Sequence, residues 1–259
     1  MQLRLVSPSN GVMRVAITQR GISVVASTGT ATTKSPIDRF GLATLVVDVS
    51  RSQAVPIAIR TRDSPDVVGE VCVSADLLPT RDKQRLRAER SFGEAGRAAY
   101  AEDWRRAFDL FRNAARDFTG IDSRRVAQAR HAMGWIDYWN LRDDEGGYIL
   151  AAWALADFGP SAEPGLQSSL IALQAATFLQ QQRLTAEERQ ARVLELLQSA
   201  EVRARQSRFG ARELPRFEIL RGFMDWRTGN SNRAGDRFVG AARECEAQRD
   251  WECAARARR

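Results

Sequence analysis

Arg216-Phe-Glu-Ile-Leu-Arg-Gly-Phe-Met-Asp-Trp-Arg-Thr-Gly-Asn-Ser-Asn-Arg-Ala-Gly-Asp-Arg-Phe-Val-Gly-Ala-Ala242 is the stretch whose reading decides the fold. Small and large residues stand there at fixed offsets: Gly222, then Gly229, Ala234, Phe238 and Ala241. Two helices packed face to face need that order. Gly222 lets a second backbone approach, Gly229 supplies the reversal, and Ala234, Phe238 and Ala241 line one stripe of the returning helix.

These residues resemble a tetratricopeptide (TPR) unit, whose signature places carry small, small, aromatic and small side chains. The resemblance implies a scaffold of helix pairs that holds peptides or other domains. Working outward, the apolar period is about 3.6 everywhere after Pro79. A first pair is expected over residues 81–101 and from Trp104 through Phe111 and Ala114, with the same aromatic-and-alanine stripe. A second covers 124–140 and 147–158, stopped by Gly159-Pro160. A third covers 166–182 and 185–205, where Thr185-Ala-Glu-Glu188 is a capping-box signature. The fourth, holding the opening stretch, covers 213–227 and 232–248, and a fifth begins near Asp250.

Before Pro79 the period is two. Val12–Thr18, Ile22–Ser27, Ala43–Val49, Val55–Arg60 and Val68–Val73 alternate β-branched with polar residues between turn residues. Ser9-Asn10-Gly11 reads as a tight turn joining the first two strands. The expected fold is therefore mainly α with an N-terminal all-β domain. A small antiparallel β-sandwich over residues 1–79 precedes a TPR-like α-solenoid of about four helix pairs over 80–259, its last repeat truncated. The runs Val15–Val25, Asp38-Arg-Phe-Gly41, Val55–Arg60 and Gly69–Val73 are similar to a pre-peptidase C-terminal type of sandwich. Followed by TPRs, such a sandwich implies the N-terminal part of a bacterial CHAT-domain protein, a caspase-like cysteine peptidase whose catalytic domain lies downstream of residue 259.

Within the chain itself the chemistry for catalysis is missing. A caspase-like site needs a Cys nucleophile and a His base on neighbouring strand ends. His131 is the one histidine and sits in a helical run; Cys72, Cys245 and Cys253 lie in no Cys-Gly loop. No metal-ligand spacing, phosphate loop or nucleophile elbow occurs, so no enzyme activity, cofactor or metal is expected. Gly93-Glu-Ala-Gly96 falls inside a helix, where small residues serve packing, and Asp143-Asp144-Glu145 falls at a helix start. Cys72 reads as a buried small hydrophobe, while Cys245 and Cys253 flank an inter-helix turn and could meet as a disulfide or as free thiols.

The net charge of +7 is carried almost wholly by arginines interspersed with carboxylates, with Lys34 and Lys83 the only lysines. That pattern favours an ion-paired surface, and it leaves a basic nucleic-acid-binding repeat protein as the alternative function. The N-terminus reads as a strand rather than a signal peptide, and the apolar runs fall far short of the ~20 residues of a span. The cytoplasm is the default compartment, with export open if the N-terminus is trimmed. The leading function is a non-catalytic scaffold, regulatory or substrate-recruiting. The TPR resemblance implies that the first helix of each pair lines a groove. His131, Trp135, Tyr138, Phe178, Gln182, Arg216, Phe223, Trp226 and Arg227 would then face a peptide or protein partner carrying acidic residues, or the downstream domain of the same parent chain.

Overall fold

The computed structural model describes every residue except 30, 38, 63–66, 142, 182–183 and 259, together with the side chains of 144 and 252. Seven strands come first: β1 (Gln2–Val6), β2 (Gly11–Arg20), β3 (Val24–Thr28), β4 (Ala31–Lys34), β5 (Leu42–Val49), β6 (Ala54–Thr61) and β7 (Glu70–Leu78). They form two antiparallel sheets, ordered β1-β6-β3-β4 and β5-β2-β7. Ser9-Asn10-Gly11 closes no hairpin, because β1 pairs with β6 while β2 pairs with β5 and β7. Asn10 Oδ1 instead accepts a hydrogen bond from the Arg51 backbone N–H at 2.6 Å.

The alternation along β2 explains the layering. Met13, Val15 and Ile17 point to one face and join Leu45, Ile57 and Ile59 in a core between the sheets. Ala16, on the other face, packs into the core of the first helices. That face is covered by α1 (Lys83–Tyr100). Gly96 is the point of closest approach, where a Cβ would lie 2.2 Å from Thr33 Oγ1 on β4.

The rest of the chain is helical: α2 (Trp104–Phe118), α3 (Ser123–Ile136) continued by a π-turn at Asp137–Leu141, and α4 (Asp144–Phe158). Then follow α5 (Pro164–Gln180), α6 (Ala186–Gln206), a 3-10 turn at Gly210–Glu213, α7 (Leu214–Arg227), α8 (Ser231–Ala247) and α9 (Trp251–Arg258). Asp82, Asp103, Asp122 and Asp143 start four of these helices, each accepting from the backbone N–H three residues on. The capping box of Thr185 and Glu188 starts a fifth. Consecutive helices pack on one another, most extensively α1 on α2, α3 on α4, α5 on α6 and α7 on α8. Phe92 meets Phe111 edge-on at 5.0 Å between the first two. Among the described residues no helix is long and apolar enough to cross a membrane.

Strands and helices are fastened by buried charge. Glu89 on α1 is fully enclosed and accepts from Arg14 of β2 at 2.6 Å and from Arg125 of α3. Arg125 lies over the Phe92 ring at 4.2 Å, and burial lowers its pKa while Glu89 opposes that shift. At the far end, Cys245 and Cys253 are joined as a disulfide between α8 and α9. Cys72 is exposed rather than buried, because position 72 falls on the outward face of β7, and its thiol donates to Glu70 at 3.1 Å.

The α7–α8 crossing rests on Gly222, where a Cβ would come 2.6 Å from the Phe238 ring, whereas Gly240 on α8 faces open space. Gly222→Val is therefore expected to lose about 1–3 kcal/mol of stability in urea unfolding by overpacking. Gly240→Ala, freed of that clash, should gain up to about 1 kcal/mol from helix propensity.

Candidate functional site

The segment between β4 and β5 reaches away from the sheets and seats against the helices. Its base is set by Gln19, fully enclosed, whose amide donates to Ile37 O at 2.7 Å and accepts from Val24 N–H at 3.1 Å. Phe40 lies against α5, where a Cβ on Gly165 would come 2.4 Å from its ring. Arg39 adopts the left-handed conformation (φ 64°) and is 1% exposed. Its guanidinium donates to Arg212 O at 2.6 Å, to Glu213 at 3.2 Å and to Asp250. Arg216 approaches the same carboxylates at 3.5 and 3.8 Å. Arg212 closes the circle by donating to Gly21 O at 2.8 Å and Gln248 O at 3.1 Å.

This seating redistributes the nine residues expected to line one groove. His131 is enclosed rather than open, 1% exposed, and Arg216 belongs to the ionic cluster around Arg39. Both corrections have one cause: the chain's own loop lies against the helix faces that carry them. Trp135 and Tyr138 are half-buried and meet the Trp139 ring, tilted at 6.0 Å and edge-on at 4.8 Å respectively. Phe178 meets Tyr148 edge-on at 4.7 Å. Arg227 donates to Leu179 O and Gln180 at the end of α5. Gln182 lies outside the described residues. Only Phe223 and Trp226 stand together at an open surface, Trp226 being 60% exposed.

Two spaces remain. One is a cavity of about 440 Å3 beneath the β4–β5 loop, walled by Phe40, Arg124, Gln128, His131, Phe158 and Leu166. Burial drives the His131 imidazole pKa down to about 3, and its Nε2 has no hydrogen-bond partner among the described residues. The other is a shallow groove of about 730 Å3 across α7, α8 and α9, where Phe223, Trp226, Phe238 and Val239 meet Arg243 and Arg256. Arg256 also lies over the Trp139 ring at 4.5 Å, which sets the second helix pair beside α9. Asp137, at the start of the π-turn, has its carboxyl pushed up to about 7, by burial first and Asp143 second, with Arg105 opposing.

Sequence reasoning missed Arg39, Phe40, Arg124 and Trp139 as site residues. A left-handed arginine carries no sequence signal, and Trp139 lies in the π-turn, where the helical frame slips by a residue. Arg124 and Gln128 were legible, since they share the i, i+4, i+7 stripe of His131. Among the described residues no cluster of His, Cys, Asp or Glu could hold a metal ion. No protein-family model and no curated protein matches the chain.

His131 makes a pH prediction. A base whose folded pKa lies below its ordinary 6.5 gains a proton in the unfolded chain first. Its contribution is therefore whole above pH 6.5 and is lost as pH falls towards about 3, at up to about 1.4 kcal/mol per pH unit. Chemical unfolding of the wild type and His131→Gln between pH 7 and 4 should show a shallower decline for the variant.

Proposed function

We propose that the chain is a non-catalytic protein-interaction scaffold: a TPR-like α-solenoid preceded by a small β-sandwich, acting as the regulatory or substrate-recruiting part of a larger bacterial CHAT-type peptidase. The observation that carries the reading is the α7–α9 groove. Its floor is apolar, with Phe223 38%, Val239 52% and Trp226 60% exposed, more large hydrophobic surface than a few scattered residues would give. Its rim is basic, and Arg243 has no ion-pair partner among the described residues. Tryptophan and arginine are the side chains that dominate binding energy at interfaces. Such a groove suits an amphipathic helix with apolar anchors at i and i+4 and acidic residues on its flanks.

Arginines on α7 and α8 beside the groove are tied to carboxylates, which favours a protein partner over nucleic acid at this surface. Arg221 bridges Glu201 at 2.7 Å and Glu218, and Arg237 bridges Glu218 and Asp225 at 2.7 Å. The phosphate-binding alternative needs arginines that are free to displace counterions.

The test uses a synthetic amphipathic helical peptide bearing Leu anchors and flanking Glu residues, measured by fluorescence anisotropy. Saturable binding that falls at least tenfold in Trp226→Ala and in Arg243→Glu is expected. Equal affinity in the wild type and both variants would contradict the groove, and tighter, steeply salt-dependent binding of duplex DNA would favour the alternative.

A further inference from the structure

The half-open space beneath the β4–β5 loop has no part in the scaffold reading. Its volume, about 440 Å3, falls among those of small-molecule sites. It is assembled from distant parts of the chain: Gln19 and Arg20 of β2, Phe40 from the loop, Phe92 of α1, the Arg124, Gln128 and His131 stripe of α3, and Phe158 and Leu166 around the α4–α5 connection. Its lining mixes apolar and polar side chains, the polar ones able to fix a ligand's orientation.

Most polar groups around it are already committed. Gln19 uses both ends of its amide. Asp157 accepts from Arg130, and Glu163 accepts from Leu166 N–H at 2.8 Å and from the Ser207 hydroxyl. Arg20 pairs with Glu70 at 3.5 Å. Among its charged and its fully buried polar side chains, two are not committed. Arg124 is exposed at the rim without an ion-pair partner among the described residues. His131 is enclosed, and its Nε2 lacks a hydrogen bond. A buried imidazole with an unsatisfied nitrogen is a poor choice for packing alone, where leucine or methionine would fill the place without loss. The uncommitted charge is positive, and the uncommitted buried group is a hydrogen-bonding one.

We propose that this cavity binds a small organic anion, with its carboxylate or phosphate at Arg124, its apolar body against Phe40, Phe158 and Leu166, and a hydroxyl or amide group at His131. Because Phe40 belongs to the β4–β5 loop and His131 to α3, an occupant touches both the strand-bearing and the helical parts of the molecule.

The test titrates the full chain with the fluorescent anion 1-anilinonaphthalene-8-sulfonate, then displaces it with benzoate, phenyl phosphate or neutral benzyl alcohol. One saturable site is expected, emptied by an anion and not by benzyl alcohol at equal concentration. The better displacer identifies carboxylate or phosphate. Arg124→Ala, a change at an exposed side chain, should weaken both reporter and anion about tenfold, and Leu166→Trp should abolish binding by filling the space. Absence of saturable binding, equal displacement by benzyl alcohol, or unchanged affinity in Arg124→Ala each overturns the proposal. Loss of the signal in Trp226→Ala would also overturn it, by moving the reporter to the α7–α9 groove.

Discussion

A guanidinium enclosed among three carboxyl and carbonyl partners holds the two ends of this chain together. Arg39 stands 174 residues from Glu213 and 211 from Asp250, and it is almost wholly shielded from water. Charge in such surroundings is tolerated only when paired, and removing one partner of a buried pair costs about 3–5 kcal/mol. The left-handed backbone at Arg39 adds strain that the surrounding contacts must outweigh. The loop therefore has one favourable seat, with Arg39 between α7 and the start of α9 and Phe40 against Gly165.

From that seat the rest of the functional surface follows. The loop lies against the helix faces bearing His131 and Arg216 and borders a half-open pocket beside His131. It reaches Asp250, the residue that accepts from Cys253 N–H and so begins α9. The open surface lies further along α7, where Phe223 and Trp226 look outward across α8 and α9. A second buried charge, Glu89 between Arg14 and Arg125, does the same work at the first helices. The two clamps bracket the array, so strands and helices pack as one body.

Local pattern carried the helices well. The small-large order around Gly222 and Phe238 gave the α7–α8 crossing, and Thr185 and Glu188 marked the start of α6. Alternation gave β2, β5 and β6, but β4 escaped, because Ala31-Thr-Thr-Lys34 has no apolar alternation. The pairing of β1 with β6 escaped too, since strand order depends on which faces meet and not on proximity in sequence. The site was legible only in fragments. Periodicity placed His131 and Trp135 on α3 and Tyr138 in the turn that continues it, yet nothing local says that a loop ninety or so residues upstream will lie against one of them. Phe223 and Trp226 on α7 need no distant partner to define their position, and both are exposed.

Hydrogen exchange of wild type and Arg39→Met, a change that keeps apolar volume and removes the charge, tests the central clamp most directly. The account predicts that amides in 36–41, 210–216 and 250–254 lose protection together, while β2 and β5 around Val15 and Leu45 keep theirs. Faster exchange confined to 36–41, with 210–216 and 250–254 as protected as in the wild type, would contradict it.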